Sequence, residues 1–81
     1  MNNRIVTFDN CKIGDKVVRG KDWCWNNQDK NSVYGIITGY LGGSNNRNAL
    51  VTGVNHKGIT VNNSYYYRVG PEKFDLYFYE Q

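Results

Sequence analysis

Histidine, proline, cysteine and methionine are scarce in this chain of 81 residues, and each scarcity removes a class of explanation. His56 is the only histidine, and Cys11 and Cys24 are the only cysteines, so no metal-ligand spacing exists and no metal is expected. Two cysteines make no disulfide framework. A single Cys11–Cys24 bridge is the alternative to two free thiols, which the lack of a secretory leader favours. No run approaches the ~20 apolar residues of a membrane span, so no membrane partner is expected. No window repeats apolar residues at i, i+3, i+4 and i+7, so no long helix is predicted. Charge of one sign is not concentrated either. Ten Lys and Arg stand against seven Asp and Glu, a net charge of +3, and the two signs are interleaved. A dedicated nucleic-acid binder carries a basic stripe, so nucleic acid is disfavoured as a partner.

Catalytic groupings are missing too. Ser44 sits in a Gly42-Gly43-Ser44-Asn45 stretch, which is no nucleophile elbow, and two glycines are too few for a phosphate loop. Neither cysteine has a histidine close in sequence, and the acids lie in turns or beside arginines. We expect no enzyme, no catalytic residue and no cofactor.

What the chain does have is aromatics, 15% of it, led by seven tyrosines, together with β-branched residues in short runs separated by turn residues. That pattern predicts a small all-β barrel or sandwich in one domain, as the length of 81 residues allows. Residues 5–8 read as an edge-like strand. Ile13-Gly14-Asp15 is a turn into a strand over 16–19, and 26–31 is a polar loop. A strand over 33–41 is broken by Gly35 and Gly39, which mark bulges or close packing. Residues 42–48 form a glycine- and asparagine-rich loop, followed by a strand over 49–54. Asn55-His56-Lys57-Gly58 is a hairpin turn with glycine in the left-handed position. The strand over 59–69 is bulged near Asn62-Asn63. A turn over 70–73 leads into a last strand, 74–79. There Phe74, Leu76 and Phe78 share the core face, with Asp75, Tyr77 and Tyr79 opposite.

The richest stretch is Val17-Val18-Arg19-Gly20-Lys21-Asp22-Trp23-Cys24-Trp25-Asn26-Asn27-Gln28-Asp29. If it is extended, Trp23 and Trp25 share a face and make one aromatic surface. With Gly14 before it, and with Gly35, Gly58, Tyr67-Arg68-Val69-Gly70 and Phe74-Asp75-Leu76 after it, the order of motifs resembles the Mind bomb/HERC (MIB–HERC) domain of large eukaryotic ubiquitin ligases. The likeness runs over residues 11–79. Two departures stand out. Asn27 replaces the first acid of the family's Asp-Gln-Asp, and Val54, Asn55 and His56 occupy the place of the family's Trp-Asp-Asn hairpin. The resemblance implies an SH3-like β-barrel and a peptide-receptor role whose catalysis belongs to a separate ligase domain.

On that basis the expected function is recognition of a protein or peptide. Trp23, Trp25, Lys21, Asn26, Gln28, Lys30, Tyr65, Tyr66, Arg19 and Arg68 are the candidate ligand-binding residues. Arg19 and Arg68 are also candidates for internal ion pairs with Asp22, Asp29 or Asp75, because a guanidinium matches a carboxylate fork. Of the consecutive Tyr65, Tyr66 and Tyr67, one face belongs to the core and the other to solvent or ligand. The abundance of asparagine, and of lysine over arginine, suits an AT-rich genome such as a phage's. It keeps open a free-standing, self-associating inhibitor of host defence that grips a host protein or sequesters a nucleotide, with aromatics stacking a base beside the basic residues. The third reading is single-stranded nucleic-acid binding. The expected compartment is the cytoplasm, that of the host if the protein is viral.

Overall fold

Five short strands rich in β-branched and aromatic residues make up the structure. In the computed structural model, which describes residues 4–20, 22–23, 32–42 and 47–79, they are β1 (Lys16–Arg19), β2 (Tyr34–Gly42), β3 (Arg47–Val54), β4 (Thr60–Arg68) and β5 (Leu76–Phe78). All pairings are antiparallel, the sheet order is β4-β3-β2-β1-β5, and no helix occurs among the described residues. The inward row is β-branched, aliphatic or aromatic: Val17 opposite Phe78, Ile37 opposite Val51, and Ala49 opposite Tyr67, all buried. Leu76 and Val6 complete this core. Small Ala49 makes room for the large Tyr67 ring across the strand pair.

The two edges of the sheet are treated differently. Along β5 the N-terminal segment adds itself as a further partner. Ile5 bridges Tyr77, Val6 N–H donates to Leu76 O at 3.0 Å, and Phe78 N–H donates to Arg4 O at 2.8 Å. The same segment then steps to the far end of the sheet, where Phe8 N–H donates to Val69 O at 3.1 Å. No strand ladder joins β4 to β5 among the described residues, so the sheet is not closed.

Several boundaries differ from the sequence reading. Gly42 ends β2, and Arg47 and Asn48 begin β3, because the ladder continues through Leu41↔Asn48 and Gly42↔Arg47. Asp22 lies in a turn and Trp23 N–H donates to Gly20 O at 3.2 Å, so Trp23 does not continue β1 as a strand. The last segment keeps Leu76 and Phe78 in the core, but Asp75 is fully buried and Phe74 only half-buried. The period of two fails there because Phe74 pairs with Val69 before β5 begins. The expected bulges coincide with register shifts, between Ile37 and Gly39 in β2 and opposite Thr52 to Val54 in β3. Gly58 closes the second hairpin with φ of 79°.

Gly35 and Gly53 lie opposite each other in the β2–β3 ladder, and both are buried. A methyl on Gly53 would strike Ser32 Oγ and come within 2.9 Å of Ser32 Cβ; one on Gly35 would strike Val51 Cγ1. A methyl on Gly39 would only touch Leu50 at 3.6 Å. Gly53→Ala is therefore expected to destabilise by about 1–3 kcal/mol through overpacking. Gly39→Ala is expected to be neutral or to stabilise by roughly 0.4–1 kcal/mol through the unfolded chain. Denaturant melts of the two variants check this; equal losses would contradict the close approach at Gly53.

Candidate functional site

The end of β1 is built around one buried carboxylate. Asp75 is fully buried, and Arg68 forks onto it, with Nη2 2.6 Å from Oδ1 and Nε 3.1 and 3.0 Å from Oδ1 and Oδ2. The backbone N–H of Arg68 donates to Oδ2 at 2.8 Å, and Asp75 N–H returns a bond to Arg68 O at 2.8 Å. Arg68 Nη2 reaches on to Asp22 O at 2.9 Å, while Asp22 Oδ2 accepts from Phe74 N–H at 3.0 Å. Gly20 N–H donates to Asp75 O at 2.5 Å. The turn after β1, the end of β4 and the start of β5 are thus tied together.

That turn places Trp23 against the core and under Arg19, whose guanidinium lies 4.5 Å from the ring centroid. The indole N–H of Trp23 is buried with no hydrogen-bond partner among the described residues.

β1 pairs with β2 only at Lys16↔Ile36 and Val17↔Gly35. Beyond these the strands part and leave a slot with a cavity of about 20 Å³, walled by Val18, Arg19, Ser32 and Tyr34 over a floor of Val51 and Tyr67. The Ser32 hydroxyl is buried here and likewise has no partner among the described residues. At the mouth Tyr34 stacks on Tyr79, with centroids 5.0 Å apart and planes within 5°, and Lys16 Nζ stands 5.4 Å from the Tyr34 centroid. Among the described residues the site therefore offers one unmatched hydroxyl, two cations and the stacked Tyr34–Tyr79 pair.

Of the ten candidate ligand residues, Arg19 lines this slot, and Trp23 lies under its guanidinium and against the core. Arg68 lies with Asp22 and Asp75 in the adjoining ion-pair cluster. Tyr66 is 47% exposed on the outer face of β4, away from them, and Tyr65 is half-buried against the core. Lys21, Trp25, Asn26, Gln28, Asp29 and Lys30 lie outside the described residues. The sequence reading missed Lys16, Ser32, Tyr34 and Tyr79. The one available signal was that Tyr79 fell on the face opposite Phe78.

Elsewhere, Cys11 carries a free thiol, half-buried, whose burial pushes its pKa up and keeps it a poor nucleophile at neutral pH. Its neighbour Tyr40 is pushed up to about 12, first by desolvation and then by its hydrogen bond with Cys11. Among the described residues no three metal-binding side chains cluster. The described residues include no helix long and apolar enough to cross a membrane. No family model, curated protein or solved structure matches the chain.

Two predictions follow from these contacts. Arg68→Lys keeps the charge but loses the fork, and Arg68→Ala strands a buried carboxylate; the losses are expected to be intermediate and about 3–5 kcal/mol respectively. An unchanged melting temperature for Arg68→Lys would show that the fork holds nothing. For Tyr40 the folded pKa lies above the unfolded value of 10.0. Its contribution is thus fully present below pH 10 and is lost as pH rises toward about 12. Tyr40→Phe should flatten the fall in melting temperature over that window; identical slopes would contradict it.

Proposed function

We propose that this chain is a non-catalytic recognition module of the MIB–HERC type, an SH3-like barrel that holds a peptide or protein surface. The observation that carries this reading is the slot between β1 and β2, where a buried hydroxyl that no described residue bonds lies beside an exposed arginine and a stacked tyrosine pair. A buried polar group left unmatched costs about 1–3 kcal/mol, which an acceptor on a ligand offsets. Tyrosine adds contact area with little loss of conformational freedom. A cavity of about 20 Å³ admits the tip of one side chain, so most of the contact falls on Tyr34, Tyr79 and Arg19 at the rim.

Two features support the barrel and the family likeness. The N-terminal segment runs from the β5 edge to the end of β4, carrying hydrogen bonds across the gap in the sheet. The separate sequence blocks that carry the resemblance meet in space, since Gly20 and Asp22 from the first contact Arg68, Phe74 and Asp75 from the last. Lys16 beside the Tyr34–Tyr79 stack favours a second reading, in which the same face stacks a nucleotide base and holds its phosphate.

Affinity capture from lysate with the whole chain and with Tyr34→Ala, read by mass spectrometry for proteins and small molecules, tests this. A protein retained by the wild type and lost by the variant is the expected result. A nucleotide retained instead selects the second reading, and equal retention of everything overturns the site.

A further inference from the structure

The slot between β1 and β2 is small, and its size limits what can enter it. Its cavity measures about 20 Å³. A single water needs roughly 10–15 Å³ of such space, so one polar atom fits with at most a methyl beside it. Val17 and Gly35 are still paired at one end, and Val51, Tyr67 and Leu76, all buried, close the floor. Within this lining the Ser32 hydroxyl is the buried polar group that no described residue bonds.

The chemistry of the lining narrows the choice further. Arg19 is its one charged residue, no described acid lines it, and the Arg19 guanidinium is engaged over the Trp23 ring, 4.5 Å from the centroid. A carboxylate or ammonium drawn into the slot would exchange its water for one neutral hydroxyl, which does not offset the loss. The planar heads of asparagine and glutamine are larger than the cavity and bring amide hydrogens toward an aliphatic floor. Alanine and valine suit the floor but leave Ser32 unmet. A serine or threonine meets every condition. Its oxygen accepts from the Ser32 O–H, and its own proton turns back to a carbonyl of its own backbone, a bond these residues commonly make. The threonine methyl suits the aliphatic floor.

We infer, on the reading of the slot as a recognition site, that it is a pocket for a serine or threonine side chain of a partner peptide. The same limits make the pocket sensitive to modification. A phosphate on that hydroxyl is larger than the cavity and carries nearly two negative charges, so the phosphorylated partner is refused.

The test pans a random decapeptide library displayed on phage against the whole chain and keeps peptides that bind the wild type but not Tyr34→Ala. These are expected to share a serine or threonine at one position. In the best threonine peptide, made synthetically, replacing that threonine by valine should weaken binding at least about tenfold, and phosphorylating it should do the same. On Ser32→Ala the difference between the threonine and valine peptides should shrink below about threefold. The comparison on wild-type protein stands even if Ser32→Ala does not fold. Equal binding of the threonine and valine peptides would leave Ser32 to a retained water or a main-chain acceptor and overturns the inference. So does a phosphopeptide that binds as well or better, or a difference undiminished on Ser32→Ala. Peptides that depend on Tyr34 but share no serine or threonine overturn this inference alone and leave the recognition reading standing. A library that yields no Tyr34-dependent peptide overturns both.

Discussion

The buried carboxylate of Asp75 is the constraint around which the rest is arranged. A charge taken out of water is tolerated only when its lone pairs are met, and here they are met by the Arg68 guanidinium and the Arg68 backbone N–H. The donors are then obliged to stay. Arg68 cannot leave Asp75, and its Nη2 also holds the carbonyl of Asp22. Replacing such a pair with apolar residues is often neutral for stability. Its effect in this chain is geometric, for it makes the turn after β1 sit where β4 ends and β5 starts.

From that geometry the slot follows. Gly20, just past β1, is held to Asp75 by its N–H, and β1, four residues long, pairs with β5 along Val17, Val18 and Arg19. On its other side only Lys16 and Val17 pair with β2, and the two strands separate beyond Gly35. Ser32 then turns over the bare backbone of Gly53 into a space that no strand fills. The same displacement carries Arg19 onto Trp23.

Much of this architecture was legible in the chain, for physical reasons that can be named. Strand positions were visible because β-branched and aromatic residues alternate between turn residues, and Gly58 marked its hairpin through its backbone freedom. The pairing of an arginine with an aspartate could be narrowed to a few candidates, since few partners exist in so short a chain. What could not be read was register. Whether Tyr66 or its neighbours face the core depends on Tyr67 lying opposite Ala49, a contact set by the β3–β4 hairpin and its bulge. Tyr34 and Tyr79 stack although they belong to distant segments that are not ladder partners, and no local pattern announces such a pair. The burial of Asp75 was hidden by an alternation that looked unbroken from Phe74 to Phe78.

What the slot can select follows from the group left unmet there. The Ser32 hydroxyl is buried beside Tyr34 and over the bare backbone of Gly53, and no described residue bonds it. Such a place favours a group that brings an acceptor at one position, because a misplaced group leaves the hydroxyl unmet. Position matters only if the walls hold still, and the β2–β3 ladder, which runs from Tyr34 to Gly42 along β2 and carries both Tyr34 and Gly53, ties the slot to the centre of the sheet.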